Sequence, residues 1–241
     1  MVDPRLAIID KRLNKIKRII TVASGKGGVG KSVVASTLTL LLAKKGYKVG
    51  LLDLDIYGPS SHIILGLKDE YPIEDKGVVP PKVNGVSFMS IVYYARDNPI
   101  PLRGGEVSDA IIELLTITRW GELDFLVVDM PPGAGDEVLD AIRFLKKGEF
   151  LVVTTPSKVA LETVMRLIKL LREINVPLVG VIENMKLVDS TFVKEKMETE
   201  RIPFLGAIPF DYNLEDAIGD PEKIIKSDFG KNLENIITHI F

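Results

Sequence analysis

Nine consecutive residues, from Ser24 to Ser32, have the types and spacing of a phosphate site. They read Ser-Gly-Lys-Gly-Gly-Val-Gly-Lys-Ser and fit the pattern G-x-x-x-x-G-K-[ST]. In that pattern backbone N–H groups of the glycine loop surround an anion, and the helix N-terminus that follows adds partial positive charge. Lys31 is expected to neutralise the outer phosphates and the Ser32 hydroxyl to hold Mg²⁺. We predict nucleotide contacts from Gly25, Lys26, Gly27, Gly28, Val29, Gly30, Lys31 and Ser32.

The segments on either side of this loop are the strand and the helix that such a site requires. Residues 19–23 form an apolar run that predicts a buried strand, and residues 33–43 have helical spacing. A strand, a glycine loop and a helix start in this order make the pattern specific for a nucleoside triphosphate.

Three aspartates lie where ligand chemistry is expected in such a fold. Asp53 and Asp55 follow one predicted strand, and Asp129 closes another. The carboxyl ends of parallel strands form the edge at which α/β sheets bind ligands. Strand alternation predicts that Asp53 and Asp55 share a face. Asp129 fits the carboxylate that holds Mg²⁺ through a water, and residues 131–136 after it are expected to move as a switch.

Predicted strands and helices alternate along the chain, which indicates an α/β fold with a doubly wound, mostly parallel sheet flanked by helices. We predict a single domain over residues 1–241, with a helical extension at 1–17, and we identify only one strand in the irregular region 66–105. The predicted strands cover 47–52, 86–92, 123–129, 150–155, 178–183 and 204–208, and the helices cover 4–17, 106–117, 158–174 and 232–241.

Composition excludes several classes of function. The formal net charge of -2 argues against nucleic-acid binding through bulk charge. Without an apolar run of membrane-spanning length, and without a basic face on the last helix, we expect a cytoplasmic protein with no membrane partner. The absence of cysteine removes disulfides, thiolate metal ligands and cysteine nucleophiles. His62 and His239 are isolated in sequence and are expected to be structural.

The predicted helix at 4–17 is amphipathic, and its polar face is basic. This face is either a solvated surface or a docking surface for an acidic partner. Its cationic residues are Arg5, Lys11, Arg12, Lys15 and Lys17.

The early lysine of the loop gives the sequence a specific resemblance. Gly-Lys-Gly-Gly-Val-Gly-Lys-Ser resembles the deviant P-loop of the MinD, partition-ATPase, arsenical-pump and Mrp group. The resemblance implies a P-loop NTPase fold and a homodimer that closes across ATP, with Lys26 reaching the partner subunit's phosphates. It implies that Asp55 orients the attacking water and that Asp53 supports it near Mg²⁺. The catalytic set is then Lys26, Lys31 and Asp55.

The same resemblance predicts where the base binds. In the resembled group an asparagine and a proline-containing turn hold the adenine, and here the matching residues are Asn184, Pro209 and Phe210. The chain contains no Asn-Lys-x-Asp motif, which favours ATP over GTP.

Later motifs look most like the Mrp and Nbp type, whose members carry iron–sulfur clusters on a Cys-x-x-Cys soon after a Glu-Asn-Met strand. Glu183, Asn184 and Met185 match that strand, but residues 186–191 contain no cysteine. This chain is therefore not expected to hold a thiolate-ligated iron–sulfur cluster.

Three stretches, 77–81, 102–120 and 183–187, resemble a cysteine-free archaeal branch of ATPase-type, HypB-like hydrogenase maturation factors. The first hypothesis from this resemblance is an ATP-driven switch that helps insert nickel together with a HypA-like chaperone or another maturation protein. Two alternatives remain open. One is an Mrp-type iron–sulfur cluster assembly or carrier ATPase working without its own cysteines, and the other is a MinD- or partition-type positioning ATPase.

Overall fold

A computed structural model describes residues 3–95, 102–238 and 240–241, so His239 and part of the irregular region lie outside the described residues. The described part has ten strands: β1 (Ile16–Ser24), β2 (Val49–Asp53), β3 (Ile73–Glu74), β4 (Val78–Val79), β5 (Lys82–Val83), β6 (Val86–Ser90), β7 (Leu123–Asp129), β8 (Gly148–Thr154), β9 (Leu178–Lys186) and β10 (Phe204–Pro209).

The α-helices of the same residues are α1 (Arg5–Leu13), α2 (Lys31–Lys44), α3 (Ser61–Ile64), α4 (Val92–Ala95), α5 (Gly105–Ile117), α6 (Asp136–Phe144), α7 (Lys158–Glu173), α8 (Phe192–Thr199), α9 (Pro221–Lys226) and α10 (Asp228–Ile237). A 3₁₀ turn covers Glu215–Ala217. None of the helices in this described part is long and apolar enough to cross a lipid bilayer.

One sheet of eight strands organises the molecule, in the order β10-β9-β8-β1-β7-β2-β6-β5. Its strands pair in parallel except for β5, which is antiparallel to β6. The predicted doubly wound, mostly parallel sheet is therefore confirmed. Strand β1 lies between β7 and β8. Strands β7, β2, β6 and β5 therefore lie on one side of β1, and β8, β9 and β10 lie on the other. Such a switch in strand order leaves a crevice at the carboxyl ends of the strands.

Both faces of the sheet are covered, which explains why the central strands are apolar almost throughout. One face packs against α1, α5, α6, α7 and α8, and the other packs against α2 and α10. Helix α2 is buried on most of its surface because it lies between the sheet and the two C-terminal helices, α9 and α10. The strand–loop–helix unit that carries the glycine loop is thus in the centre of the fold.

Several predicted boundaries are wrong. The N-terminal helix ends at Leu13 rather than at 17, because Ile16 already pairs with Leu123 in the sheet. Sheet pairing outweighs local helix propensity there. The last helix begins at Asp228 rather than 232, since the Ser227 hydroxyl accepts the Gly230 N–H as its N-terminal cap.

Short elements account for most of the remaining differences. Within 66–105 the predicted strand at 86–92 ends at Ser90, and the chain continues into α4. The same region also holds β3, β4 and β5, each of two residues. Helices α6, α8 and α9 have at most nine residues and were not predicted. Elements of this length have too few turns to produce a clear hydrophobic period.

Candidate nucleotide-binding site

The glycine loop lies between β1 and α2, at the carboxyl edge of the sheet. Gly28 and Gly30 have φ values of 76° and 81°, which is the left-handed region that favours glycine. A Cβ at Gly28 would meet no atom within 4 Å, so this side of the loop is open to a ligand. A Cβ at Gly30 would collide with the amide nitrogen of Asn184. The loop is therefore open toward phosphates and closely packed toward β9.

Two buried charges face each other beneath the loop. Lys31 Nζ lies 2.5 Å from Asp129 Oδ1, and their side chains are 6% and 0% exposed. The same ammonium lies 3.3 Å from the Ser32 hydroxyl. Burial raises the pKa of Asp129, while the Lys31 ammonium acts in the opposite direction. The predicted phosphate lysine, magnesium serine and magnesium aspartate are thus brought together.

Asp53 lies beside Asp129 because the two residues are register partners in the pairing of β2 with β7. Its carboxylate accepts the N–H groups of Asp55, at 3.0 Å, and Ser61, at 3.2 Å. Burial, followed by repulsion from Asp129, raises the pKa of Asp53 to about 7. Asp53 is therefore a buried residue whose carboxylate fixes the backbone of Asp55 and Ser61.

Ser61 is a residue that the sequence analysis missed. It is buried, and its hydroxyl donates to Asp129 Oδ2 at 3.2 Å while its N–H donates to Asp53. One residue thus links the two buried carboxylates. The available signal was a serine pair directly after Gly58-Pro59, because serine is favoured where a helix begins.

Asp55 lies outside the regular strand. Because β2 ends at Asp53, strand alternation does not determine the direction of the Asp55 side chain, although both carboxylates lie near Lys31. Asp55 Oδ1 accepts the Gly58 N–H at 3.1 Å, and Oδ2 lies 4.0 Å from Lys31 Nζ. One carboxylate oxygen is therefore held by the turn, and the other faces the phosphate lysine.

Lys26 is half-buried in the loop, and its ammonium forms no hydrogen bond or ion pair with any residue within 3–95, 102–238 or 240–241. Its backbone is fixed, because its carbonyl accepts the Ser24 hydroxyl at 2.9 Å. The Ser24 carbonyl in turn accepts the Gly133 N–H at 2.8 Å. The loop is thus connected to the predicted switch at 131–136.

The three predicted adenine contacts converge on one pocket of about 200 Å³. Asn184 donates from Nδ2 to the Val29 carbonyl at 2.9 Å, and Pro209 and Phe210 also line the pocket. Met185 and Tyr212 are among the other residues that line the pocket, and the sequence analysis did not assign either to it. Met185 adopts a left-handed φ of 57°, and the Tyr212 ring packs edge-on against Phe210 with centroids 4.8 Å apart.

The site fits a magnesium ion that is bound mainly by phosphates. Ser32 and Asp129 present hard oxygen donors next to the loop, which is the donor type that Mg²⁺ prefers. Across the described ranges no three His, Cys, Asp or Glu side chains converge to hold a metal ion, and His62 belongs to no such group. Two protein ligands supplemented by phosphates and waters are the usual arrangement for Mg²⁺ in nucleotide sites.

The fold and the loop together define a P-loop NTPase. The chain belongs to the ParA family described as the NUBPL iron-transfer P-loop NTPase, whose sequence model matches residues 15–241. It is 39% identical to the iron–sulfur cluster carrier protein of Aquifex aeolicus, over 95% of this chain and 64% of that protein. It is 36% identical to the iron–sulfur cluster carrier protein of Pyrococcus abyssi, over 89% of this chain and 81% of that protein. This chain thus spans just under two thirds of the length of the Aquifex relative.

A solved structure gives the same result. A nucleotide-binding protein from Archaeoglobus fulgidus, determined in complex with ADP, superimposes with a TM-score of 0.75 and 31% identity. The match covers 95% of this chain and 93% of the other. The resemblance to the Mrp and MinD group is therefore confirmed.

The raised pKa of Asp53 predicts how stability depends on pH. An acid whose pKa rises on folding binds its proton more tightly in the folded state. Its stabilising contribution is fully present below the unfolded value of 3.8 and is lost as pH rises through about 7. Asparagine at position 53 cannot titrate, so the Asp53→Asn variant lacks this loss. The unfolding free energy of the variant minus that of wild type should therefore become more positive from about pH 4 to about pH 7.

Denaturant unfolding of nucleotide-free protein in EDTA measures this difference. The control variant Asp69→Asn makes the same substitution at an exposed position. A pH-independent difference for Asp53→Asn would mean that the Asp53 carboxylate is not destabilised by burial.

Proposed function

We propose that this chain is a dimeric, Mg-ATP-hydrolysing switch that assists iron–sulfur cluster transfer, with the cluster's thiolate ligands supplied by a partner. The observation that carries the ATPase proposal is the convergence of Lys31, Asp55 and Asp129 at the open glycine loop. The iron–sulfur role is supported by the family and by the relatives, which are named cluster carriers. Because this sequence has no cysteine, the cluster ligands must come from outside it.

The relatives favour iron–sulfur transfer over the nickel-insertion hypothesis. Those described above are named for cluster transport, and neither is named for nickel or hydrogenase. The relatives therefore give no support to a HypA-like chaperone as partner. They do support the more general role in metallocentre maturation. The positioning role of MinD-type proteins is less favoured for the same reason.

The residues of the site divide the hydrolytic step between them. When ATP binds, the Lys31 ammonium leaves the Asp129 carboxylate and contacts the phosphate oxygens, whose charge it neutralises. Ser32 and Asp129 then hold Mg²⁺. The metal supplies charge neutralisation of the phosphates when it is bound. Asp55, whose Oδ1 is held by Gly58, uses its other oxygen to orient a water. That water attacks the γ-phosphorus, the bond to ADP breaks, and ADP and inorganic phosphate are released.

Lys26 acts across the dimer. Its ammonium has no partner among the described residues, although the loop backbone around it is fixed by Ser24. A cation held this way is suited to a second subunit's phosphates, as an arginine finger is in other NTPases. ATP then bridges two subunits, and closure moves the switch segments near Asp55 and Gly133. A partner that prefers one of these states becomes coupled to ATP.

Two variants separate ATP binding from hydrolysis. Lys31→Ala should abolish measurable ATP binding, because it removes the phosphate cation and leaves Asp129 buried without its counter-charge. Asp55→Ala should bind ATP within about threefold of wild type but turn over at least roughly 100-fold more slowly, the range of a lost proton-orienting group. Calorimetry and phosphate release measure both quantities, and Asp69→Ala is the exposed control. Normal turnover in Asp55→Ala would remove its assignment.

Lys26→Ala tests the dimer. Turnover should fall by about 10³ or more, as for a lost arginine finger, while ATP affinity changes by less than about threefold. Lys45→Ala, which removes an exposed lysine after α2, should leave both unchanged. Light scattering should find the Asp55→Ala protein dimeric with ATP and monomeric without it. A monomer under both conditions would contradict the cross-subunit role.

Cluster transfer tests the function itself. The chain is mixed with a cysteine-bearing scaffold protein loaded with a [4Fe–4S] cluster and with an apo-acceptor, and acceptor absorbance is followed with ATP, with ADP or without nucleotide. ATP should change the transfer rate roughly fivefold or more in the wild type and not in Lys31→Ala. Equal rates in all conditions would reject the iron–sulfur role. A nucleotide effect found only with a nickel-loaded, HypA-like chaperone would restore the nickel hypothesis.

A further inference from the structure

The basic face predicted for the N-terminal helix is divided by the fold into paired and unpaired cations. Arg5 lies 2.7 Å from Asp3 and 2.9 Å from Asp109, and Lys17, which belongs to β1, lies 2.7 Å from Asp124. Arg12 differs from these two. Its guanidinium makes no ion pair or hydrogen bond with the described residues, and its Nε atom is buried without an acceptor among them.

The Arg119 side chain lies close to Arg12, with a glycine beside both. A Cβ at Gly77 would lie 2.9 Å from Arg12 Nη2 and 3.1 Å from Arg119 Cδ, so both arginines lie close to the same α-carbon. Gly77 also has a φ of 130°, a conformation that favours glycine. A larger residue at this position would push the two side chains away, so glycine is what allows them to meet.

The charges at this place do not balance. Arg119 Nη1 contacts the Asp75 carboxylate, 2.6 Å from Oδ2, and also the Asp75 carbonyl. Asp75 thus compensates Arg119, and nothing among the described residues compensates Arg12. Burial lowers the pKa of Arg12, and the neighbouring Arg119 charge lowers it further. An unpaired, half-buried guanidinium beside a like charge is costly unless an anion completes it.

We propose that Arg12 and Arg119 form an oxyanion-binding site over Gly77 that accepts a carboxylate or a phosphate group. Arginine suits this role because its planar fork of donors matches the oxygens of both groups.

This site is separate from the nucleotide site. Arg12 precedes β1 and Arg119 precedes β7, so both lie at the amino edge of the sheet, whereas the glycine loop lies at the carboxyl edge. The nine residues of β1 separate the two edges by roughly 30 Å, at about 3.3 Å per residue. An acidic partner segment bound here can therefore stay attached while nucleotide is exchanged at the other edge.

Titration calorimetry tests the site with two probes, a tetraglutamate peptide and inorganic phosphate. Each is added to the ADP-saturated protein at about 50 mM salt, where exposed charges are weakly screened. Arg12→Gln should weaken binding of at least one probe about tenfold or more, a loss of one charge-assisted contact pair. Lys11→Gln removes the same charge from the next position, where the side chain is exposed, and should change affinity less than about twofold.

The outcomes are distinct. Binding of the peptide alone identifies an acidic protein segment as the ligand, and binding of phosphate alone identifies a phosphate-bearing one. Either result supports the site if Arg12→Gln weakens binding of that probe by the expected factor while ADP affinity is unchanged. The proposal is overturned if neither probe binds, or if Lys11→Gln loses as much affinity as Arg12→Gln, because diffuse surface charge then explains the effect.

Discussion

The buried ion pair between Lys31 and Asp129 is the interaction on which the rest of this structure depends. Two charges that are almost completely removed from water each require the other, because an isolated buried charge is strongly destabilising. The pair ties the start of α2 to the end of β7. Ser61 and Asp53 complete the arrangement by hydrogen bonding, so four side chains from four segments keep one geometry.

The order of the strands explains why these segments meet. Strand β1 carries the glycine loop and has β7 on one side and β8 on the other, while β2 lies beyond β7. Their carboxyl ends place the loop, Asp129 and Asp53 along one edge. Strands β9 and β10 bring Asn184 and Phe210 to the same edge on the other side of β1. The glycine loop and the pocket predicted for the base thus lie on opposite sides of β1 along a single crevice.

The family and the composition place different limits on function. The relatives are named for iron–sulfur cluster transport, while this sequence has no cysteine and therefore no thiolate to offer a cluster. Under the function proposed above, this chain supplies the ATP-dependent step while a partner holds the cluster. The oxyanion site proposed at Arg12 and Arg119 lies at the amino edge of the sheet, away from the crevice.

The glycine loop and the parallel sheet can be predicted from local patterns in the sequence. The glycine loop, Lys31 and Ser32 follow a short pattern in a fixed strand–loop–helix context, so they could be recognised from neighbouring residues alone. Asp129 closes a separate apolar strand and could be assigned only together with that loop. The parallel sheet follows from alternating apolar strands and helices, because buried parallel strands require apolar residues on both faces. Short elements such as β3, β4 and α6 carry too little periodic signal to be found in this way.

Contacts between distant segments were decided only by the tertiary structure. Ser61 lies 68 positions from Asp129, and no local pattern states that its hydroxyl reaches that carboxylate. Arg12 and Arg119 are likewise far apart in sequence, and only the fold brings both next to Gly77. Local residue patterns determine which groups the backbone presents, whereas strand order and close packing determine which of those groups meet. The sequence therefore determined the nucleotide loop, and the fold determined the carboxylate network and the proximity of Arg12 to Arg119.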